Sequence, residues 1–176
     1  MFDKQHKQAI NDLCKFSSTK HWKLHYRASR DGFAGQNFHT KCDGIANTLT
    51  IIKSTNGNIF GGFVEKAWNS TSIAVLDPKA FIFSLVNKKN LPFKAMCKKG
   101  AYSILCYPTH GPSFGGLTGC DIHIASNSNE NTNSYSYYGC SYMHPDCLFP
   151  TDEAYSILNG SYSFQTIEIE VFSVTN

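Results

Sequence analysis

The sequence predicts an α+β chain that is mainly β, a β-sandwich with helices on its periphery. Three observations carry that prediction. Asn56-Gly57 stands between two runs rich in Ile, Thr, Phe and Val, at 48–55 and 58–64. A dipeptide ready for positive φ joins such runs as a tight hairpin. Short strand-like runs separated by glycine-containing turns recur from Trp22 to Val171, and only two segments carry a convincing helical period. The pattern does not fix strand order, and no internal repeat is visible.

Taken in order, residues 3–16 place Ala9, Ile10, Leu13 and Cys14 at helical spacing, with Lys4, Lys7 and Asp12 elsewhere on the wheel. This amphipathic helix is read as a short N-terminal element, 1–20, ahead of the main domain, 21–176. Residues 22–28 alternate Trp22, Leu24, Tyr26 and Ala28 against Lys23, His25 and Arg27, the period of a half-buried strand. Asp31-Gly32 turns the chain. Residues 35–42 form a short helix with Phe38 and Cys42 inward, stopped by Gly44. The hairpin follows, with Gly61-Gly62 marking a bulge or the close approach of another backbone.

Residues 69–72 read as a surface loop, and Asp77-Pro78 bars helix before the next segment. Residues 81–86 are apolar on both faces and predict a central strand covered twice. Residues 93–97 and 101–106 predict a hairpin around Lys98-Lys99-Gly100, and 111–116 a turn between strands. Residues 120–125 alternate as an edge-type strand. The polar run 126–134 has almost nothing to bury and predicts a mobile surface loop. In the last strand Ile167, Ile169 and Val171 are expected to face in, and Glu168 and Glu170 to face out.

At 176 residues and 41% hydrophobic, the chain can bury one core and has no room for a second domain. A net charge of +3, with no Lys/Arg block longer than two, gives no field for nucleic acid. No apolar run reaches signal-peptide or membrane-spanning length, so no membrane insertion is expected. Seven cysteines without a CxxC pattern point to reduced thiols and a cytoplasmic location, against two sequons at Asn69 and Asn159.

Six blocks then stand in order: 22–33, 38–44, the hairpin, 80–85, 111–116 and 167–172. In that order and spacing, from about Trp22 to Val174, the chain resembles the TLDc domain, the C-terminal module of the oxidation-resistance proteins. The resemblance implies a two-sheet antiparallel β-sandwich decorated by helices. It also implies a non-enzymatic interaction module, linked to protection against oxidative stress and to regulating assembly of the vacuolar proton-pumping ATPase (V-ATPase). V-ATPase subunits are the partners it suggests. The LysM, GRAM or TBC modules that accompany the domain in better-known members are not in this sequence, so partner and pathway do not carry over directly. The contact surface is expected among loops and exposed charges: Arg27, Arg30, Glu65 and the Asn/Ser loop.

Each site-like constellation has a plainer reading. Cys140, His144 and Cys147 offer three soft ligands, but zinc wants a fourth, and half-buried thiols are the simpler account. His39 and Cys42-Asp43 resemble a base beside a thiol, yet they share one short helix. Ser29 and Asp31 lack the Gly-x-Ser-x-Gly elbow of a hydrolase, and Arg27 and Arg30 are expected to pair with acids such as Glu168 or Glu170. Glu168 and Glu170, about 7 Å apart by strand geometry, suit an inverting glycosidase only coincidentally. No catalytic residue, cofactor or metal ligand is therefore assigned. The alternatives are a thiol- or carboxylate-dependent enzyme, or a carbohydrate- or ligand-binding sandwich with tyrosines 135–142 as a stacking platform.

Overall fold

In the computed structural model, which describes residues 2–17, 20–116, 118–143 and 152–175, the chain opens with α1 (Lys4–Cys14), β1 (His21–Arg27), α2 (Ala28–Asp31) and α3 (Gly35–Cys42). The central strands are β2 (Thr48–Ser54), β3 (Ile59–Val64), β4 (Ile73–Val75), β5 (Phe81–Val86) and β6 (Phe93–Cys97). Then come β7 (Ile104–Cys106), β8 (Ser113–Gly116), β9 (Gly119–His123), β10 (Ser134–Ser136) and β11 (Tyr142–Met143). The chain closes with α4 (Asp152–Ser156), β12 (Ser163–Phe164) and β13 (Thr166–Thr175). A seven-stranded sheet runs β1-β13-β2-β3-β5-β6-β11, and a six-stranded sheet runs β12-β10-β9-β8-β7-β4. The described strand pairings within both sheets are antiparallel, and the expected two-sheet sandwich is the architecture found.

The larger sheet is apolar on both faces because something covers each. Ile52, Phe60, Val64 and Ile82 meet Ile104, Phe114 and Ile122 of the smaller sheet. Leu49, Ile51, Phe63 and Phe81 instead meet Ile10 and Cys14 of α1. Asp3 caps α1, accepting from His6 N at 2.9 Å, and Lys15 ends it in the left-handed region at φ 57°. Burying a side chain such as Ile10 contributes about 2 kcal/mol, which a lone short helix could not supply.

Gly61 and Gly62 show why the hairpin needs them. A Cβ on Gly62 would stand 2.4 Å from the Phe114 ring of the opposite sheet, and one on Gly61 would stand 2.0 Å from Thr50 O. The expected close approach is real, and it lets the two sheets pack. The turn itself is looser than a two-residue form: Gly57 takes φ 81°, and Ser54 N donates to Asn58 O at 3.1 Å.

Several sequence expectations are corrected. β6 and β7 belong to different sheets, so residues 98–103 cross between layers and do not close a hairpin. Residues 113–116 are a buried strand, not a turn, and β9 is central, with β8 and β10 on either side. The run 126–134 is tied down. Thr166 N donates to Ser128 O at 2.9 Å, Asn127 N to Phe33 O at 3.0 Å, and the Asn131 amide to Ser126 O and Asn127 O. Asn and Ser side chains there satisfy backbone groups, so polar composition marks a knotted turn.

The largest correction concerns the last strand. Ile169 and Val171 do face the inter-sheet core, but Ile167 is 50% exposed, and Glu168 and Glu170 are buried, at 5% and 1%. A register shift between Thr166 and Glu168 displaces Ile167, and the face carrying the glutamates is not solvated. A second shift, between Leu24 and Tyr26, breaks the expected alternation of β1. Trp22 and Leu24 pack in the α1 cluster, whereas Tyr26 lies in the inter-sheet core.

Candidate functional site

The shift in β1 delivers Arg27 to the buried glutamates. Arg27 Nε donates to Glu170 Oε1 at 2.7 Å. Ser29 gives its backbone N–H to Glu168 Oε1 at 3.1 Å and its hydroxyl to Glu168 Oε2 at 2.5 Å. Asp31 accepts from Arg27 N at 2.9 Å and pairs with Arg30, whose two hydrogen bonds hold its carboxyl below the usual range. The expected pairing of an arginine with these acids is present. Both glutamates are engaged in joining β1, α2 and β13, so the glycosidase geometry is not available to a substrate.

Of the three charges expected on a contact surface, Arg27 is mostly buried in this network, Arg30 is half-exposed, and Glu65 lies elsewhere. Glu65 Oε1 accepts from Lys79 Nζ at 3.1 Å and lines a groove of about 390 Å³ with Phe16, Lys20 and Phe63. The pairing register puts Glu65 beyond β3, three strands across and about four residues along from Arg27, on the order of 20 Å. The structure brings Arg27 and Arg30 together but not Glu65.

The thiol and hydroxyl constellations resolve similarly. His39 has both ring nitrogens engaged, Nδ1 with Asp43 Oδ1 at 2.7 Å and Nε2 with Tyr107 O at 2.8 Å. Cys42 beside it is fully buried, and burial pushes its thiol far up. Burial likewise raises Cys14 and Cys120 to about 12 and Cys140 to about 11, and lifts Cys97 and Cys106. All six described cysteines are free. His144 and Cys147 of the soft-ligand trio lie outside the described residues. Among the described residues, no group of three His, Cys, Asp or Glu side chains is arranged to hold a metal ion.

Two features escaped the sequence reading. Gly111-Pro112-Ser113-Phe114-Gly115 matches the Gly-x-Ser-x-Gly pattern, and Ser113 Oγ lies 3.2 Å from His123 Nδ1. Ser113 is fully buried in β8, and its hydroxyl also bonds Gly111 O, so no strained, exposed elbow presents it. Asp121, a polar member of the alternation in 120–125, is also fully buried. It accepts from Gly139 N and Ser141 N, each at 2.7 Å, and from Tyr142 N at 3.3 Å. Burial pushes its carboxyl up to about 7 against the pull of those donors. It fastens 139–142 to β9.

The tyrosine platform is partly present and differently composed. Tyr138 and Tyr142 are fully buried, the latter donating to Ser103 O at 2.6 Å. Tyr135 and Tyr137 stay half-buried and join residues distant in sequence. Tyr135 stacks on Tyr162 at 5.4 Å and on His123 at 4.8 Å, and His123 meets His110 edge-on at 4.6 Å. Tyr137 stacks on Tyr155 at 4.9 Å, and Tyr155 crosses Tyr162 at 75°. Tyr137, Tyr155, Tyr162 and Ser156 line an open pocket of about 520 Å³. Burial pulls the His110 and His123 pKa down, the latter to about 4, and raises Tyr135 to about 12.

The fold and these clusters define a helix-decorated antiparallel β-sandwich whose buried polar groups mostly hold elements together. The TLDc domain family model matches residues 1–175, essentially the whole chain, and the chain belongs to that family. The match includes α1, which packs in the same cluster as β2 and β3. No curated protein matches the chain.

Proposed function

We propose that this TLDc protein is a non-enzymatic docking module that acts on the assembly of the V-ATPase and, through that or a related partner, protects against oxidative damage. The observation that carries the reading is the family match over residues 1–175. The thiols add support against a cysteine-based enzyme: burial raises all six described cysteines, whereas a reactive cysteine needs a lowered pKa and exposure. A cytoplasmic location fits the free thiols. It also fits the Asn159 sequon, whose asparagine is fully buried. Among the described residues, no helix is long and apolar enough to cross a membrane.

Capture from native cytosol with the intact chain as bait tests the reading. Retention of V-ATPase subunits in excess over a denatured-bait control is the expected result. Recovery of chaperones alone refutes the partner.

A further inference from the structure

One end of the sandwich carries apolar loop tips beside a row of lysines. Phe63 pairs with Phe81 and Phe81 with Met96, so the chain leaving β3, entering β5 and leaving β6 stands side by side, bringing Lys66, Lys79 and Lys98 into line. Strand spacing sets the first and last about 10 Å apart at the backbone, and exposed Lys99 follows. In the smaller sheet Val75 pairs with Ile104 and accepts from Ser103 N at 2.8 Å, which brings Leu76 beside Tyr102. Leu76, Asp77 and Pro78 share a small hollow with Lys98, Gly100 and Ala101, so the two loops meet. Leu76 is 51% and Tyr102 40% exposed, and Pro78 is exposed as well. Asp77 between them is buried and fixes the rim: its carboxylate accepts from Glu65 N, Lys66 N and Lys79 N, and its own N–H donates to Ser103 Oγ. We propose that this rim, with Leu76, Pro78 and Tyr102 set between Lys66 and Lys99, seats the protein on the surface of an anionic lipid bilayer.

Charge and shape together select this occupant. The acids of these loops are already matched, Asp77 by backbone donors and Glu65 by Lys79 Nζ at 3.1 Å. Lys98 Nζ donates to Gly139 O and Cys140 O, with buried Asp121 close enough to feel its charge. Lys66 and Lys99 are exposed and belong to no ion pair among the described residues. The rim is therefore net positive, and an anionic surface complements it. The hollow between the loops is only about 180 Å³, too small for a partner's helix or strand to lie in. Projecting leucine, proline and tyrosine side chains instead suit the headgroup layer, where tyrosine is favoured and lysines reach lipid phosphates and carboxylates. An apolar tip and a basic row are two weak signals, the combination that gives reversible attachment. Such seating is peripheral and needs no spanning segment.

The test is sedimentation of the intact chain with phosphatidylcholine vesicles, plain or containing about one-third phosphatidylserine. Binding to the phosphatidylserine vesicles alone is expected, with release as salt rises to about 0.5 M. Lys66→Gln combined with Lys99→Gln should weaken binding about 25-fold, at roughly fivefold per lysine, and Leu76→Ser about tenfold. Melting temperatures should not change, because these side chains are exposed. Equal sedimentation with plain vesicles, none with either kind, or undiminished binding by the lysine or the leucine variant would overturn the site. Tighter binding to a polyglutamate peptide, insensitive to Leu76→Ser, would assign the lysines to an acidic protein and overturn the lipid reading. The rim does not rest on the V-ATPase reading: failed capture leaves the rim standing, and failed sedimentation leaves the docking reading standing.

Discussion

Arg27→Ala should destabilise the domain by about 3 kcal/mol although it alters a residue on the sheet's edge strand. Glu170 is 1% exposed, and its carboxylate meets Arg27 Nε at 2.7 Å, with the Arg27 side chain 21% exposed. Charges about 4 Å apart attract by about 4 kcal/mol at an effective dielectric of about 20, and part of that offsets desolvation. Removing the guanidinium leaves a carboxylate buried without its partner, the costly half of such a pair. The lower end of the expected range applies because Arg27 still reaches water. For a chain of this size the loss lowers the melting temperature by about 6 to 12 °C. The assay is urea unfolding followed by Trp22 and Trp68 fluorescence, run as a double-mutant cycle with Glu170→Gln. A coupling energy of about 2 kcal/mol is expected. Coupling near zero, or a single-variant loss below about 0.5 kcal/mol, would refute the assignment of Arg27 to the fold and return it to the contact surface.

Gly62→Ala should cost about 1–3 kcal/mol, because its Cβ would meet the Phe114 ring at 2.4 Å, and Phe114→Leu in the same chain should recover part of the loss. Gly57→Ala, with nothing within 4 Å but φ 81°, should cost only about 1 kcal/mol, and thermal melts rank the two. Stability should fall with acid through His123. Its folded pKa is lowered from 6.5 to about 4, so the neutral ring's contribution is present above pH 6.5 and is lost as pH drops toward 4. The full loss is up to about 3 kcal/mol. Asp121, pushed up to about 7, contributes with the opposite sign over the same range, so the check is a comparison: the chain's urea midpoint should fall relative to that of His123→Phe as the pH drops through that window. Cys14, Cys42, Cys106 and Cys120 should resist alkylation at pH 7 until the chain unfolds, and half-buried Cys97 and Cys140 should react no faster than free cysteine. Mass-spectrometric labelling rates check this, and one fast thiol would revive the enzyme reading.

The elements legible in the sequence were those with a strong local period. The α1 face, the inward Phe38 and Cys42, the central hairpin and the doubly covered β5 are all placed as their apolar spacing says. Misreadings cluster where a long-range event reverses a local pattern. One extra residue near His25 and another near Ile167 move side chains to the opposite face. Alternation also cannot reveal that the far face is covered, which is why Glu168 and Glu170 read as solvated and why the strand carrying the buried Asp121 reads as an edge although it is central. Of the candidate contact residues, Arg27 is drawn into the fold by an acid 143 positions away. The ring cluster of Tyr137, Tyr155 and Tyr162 forms through the packing of α4 and the chain before β12, which local periodicity does not encode.

The most direct test of the docking account is to add the purified chain to isolated V-ATPase and follow the assembled fraction by sedimentation together with ATP hydrolysis. The account predicts a dose-dependent shift in assembly that the heat-denatured chain does not produce. An unchanged assembled fraction and unchanged hydrolysis at saturating protein would contradict it.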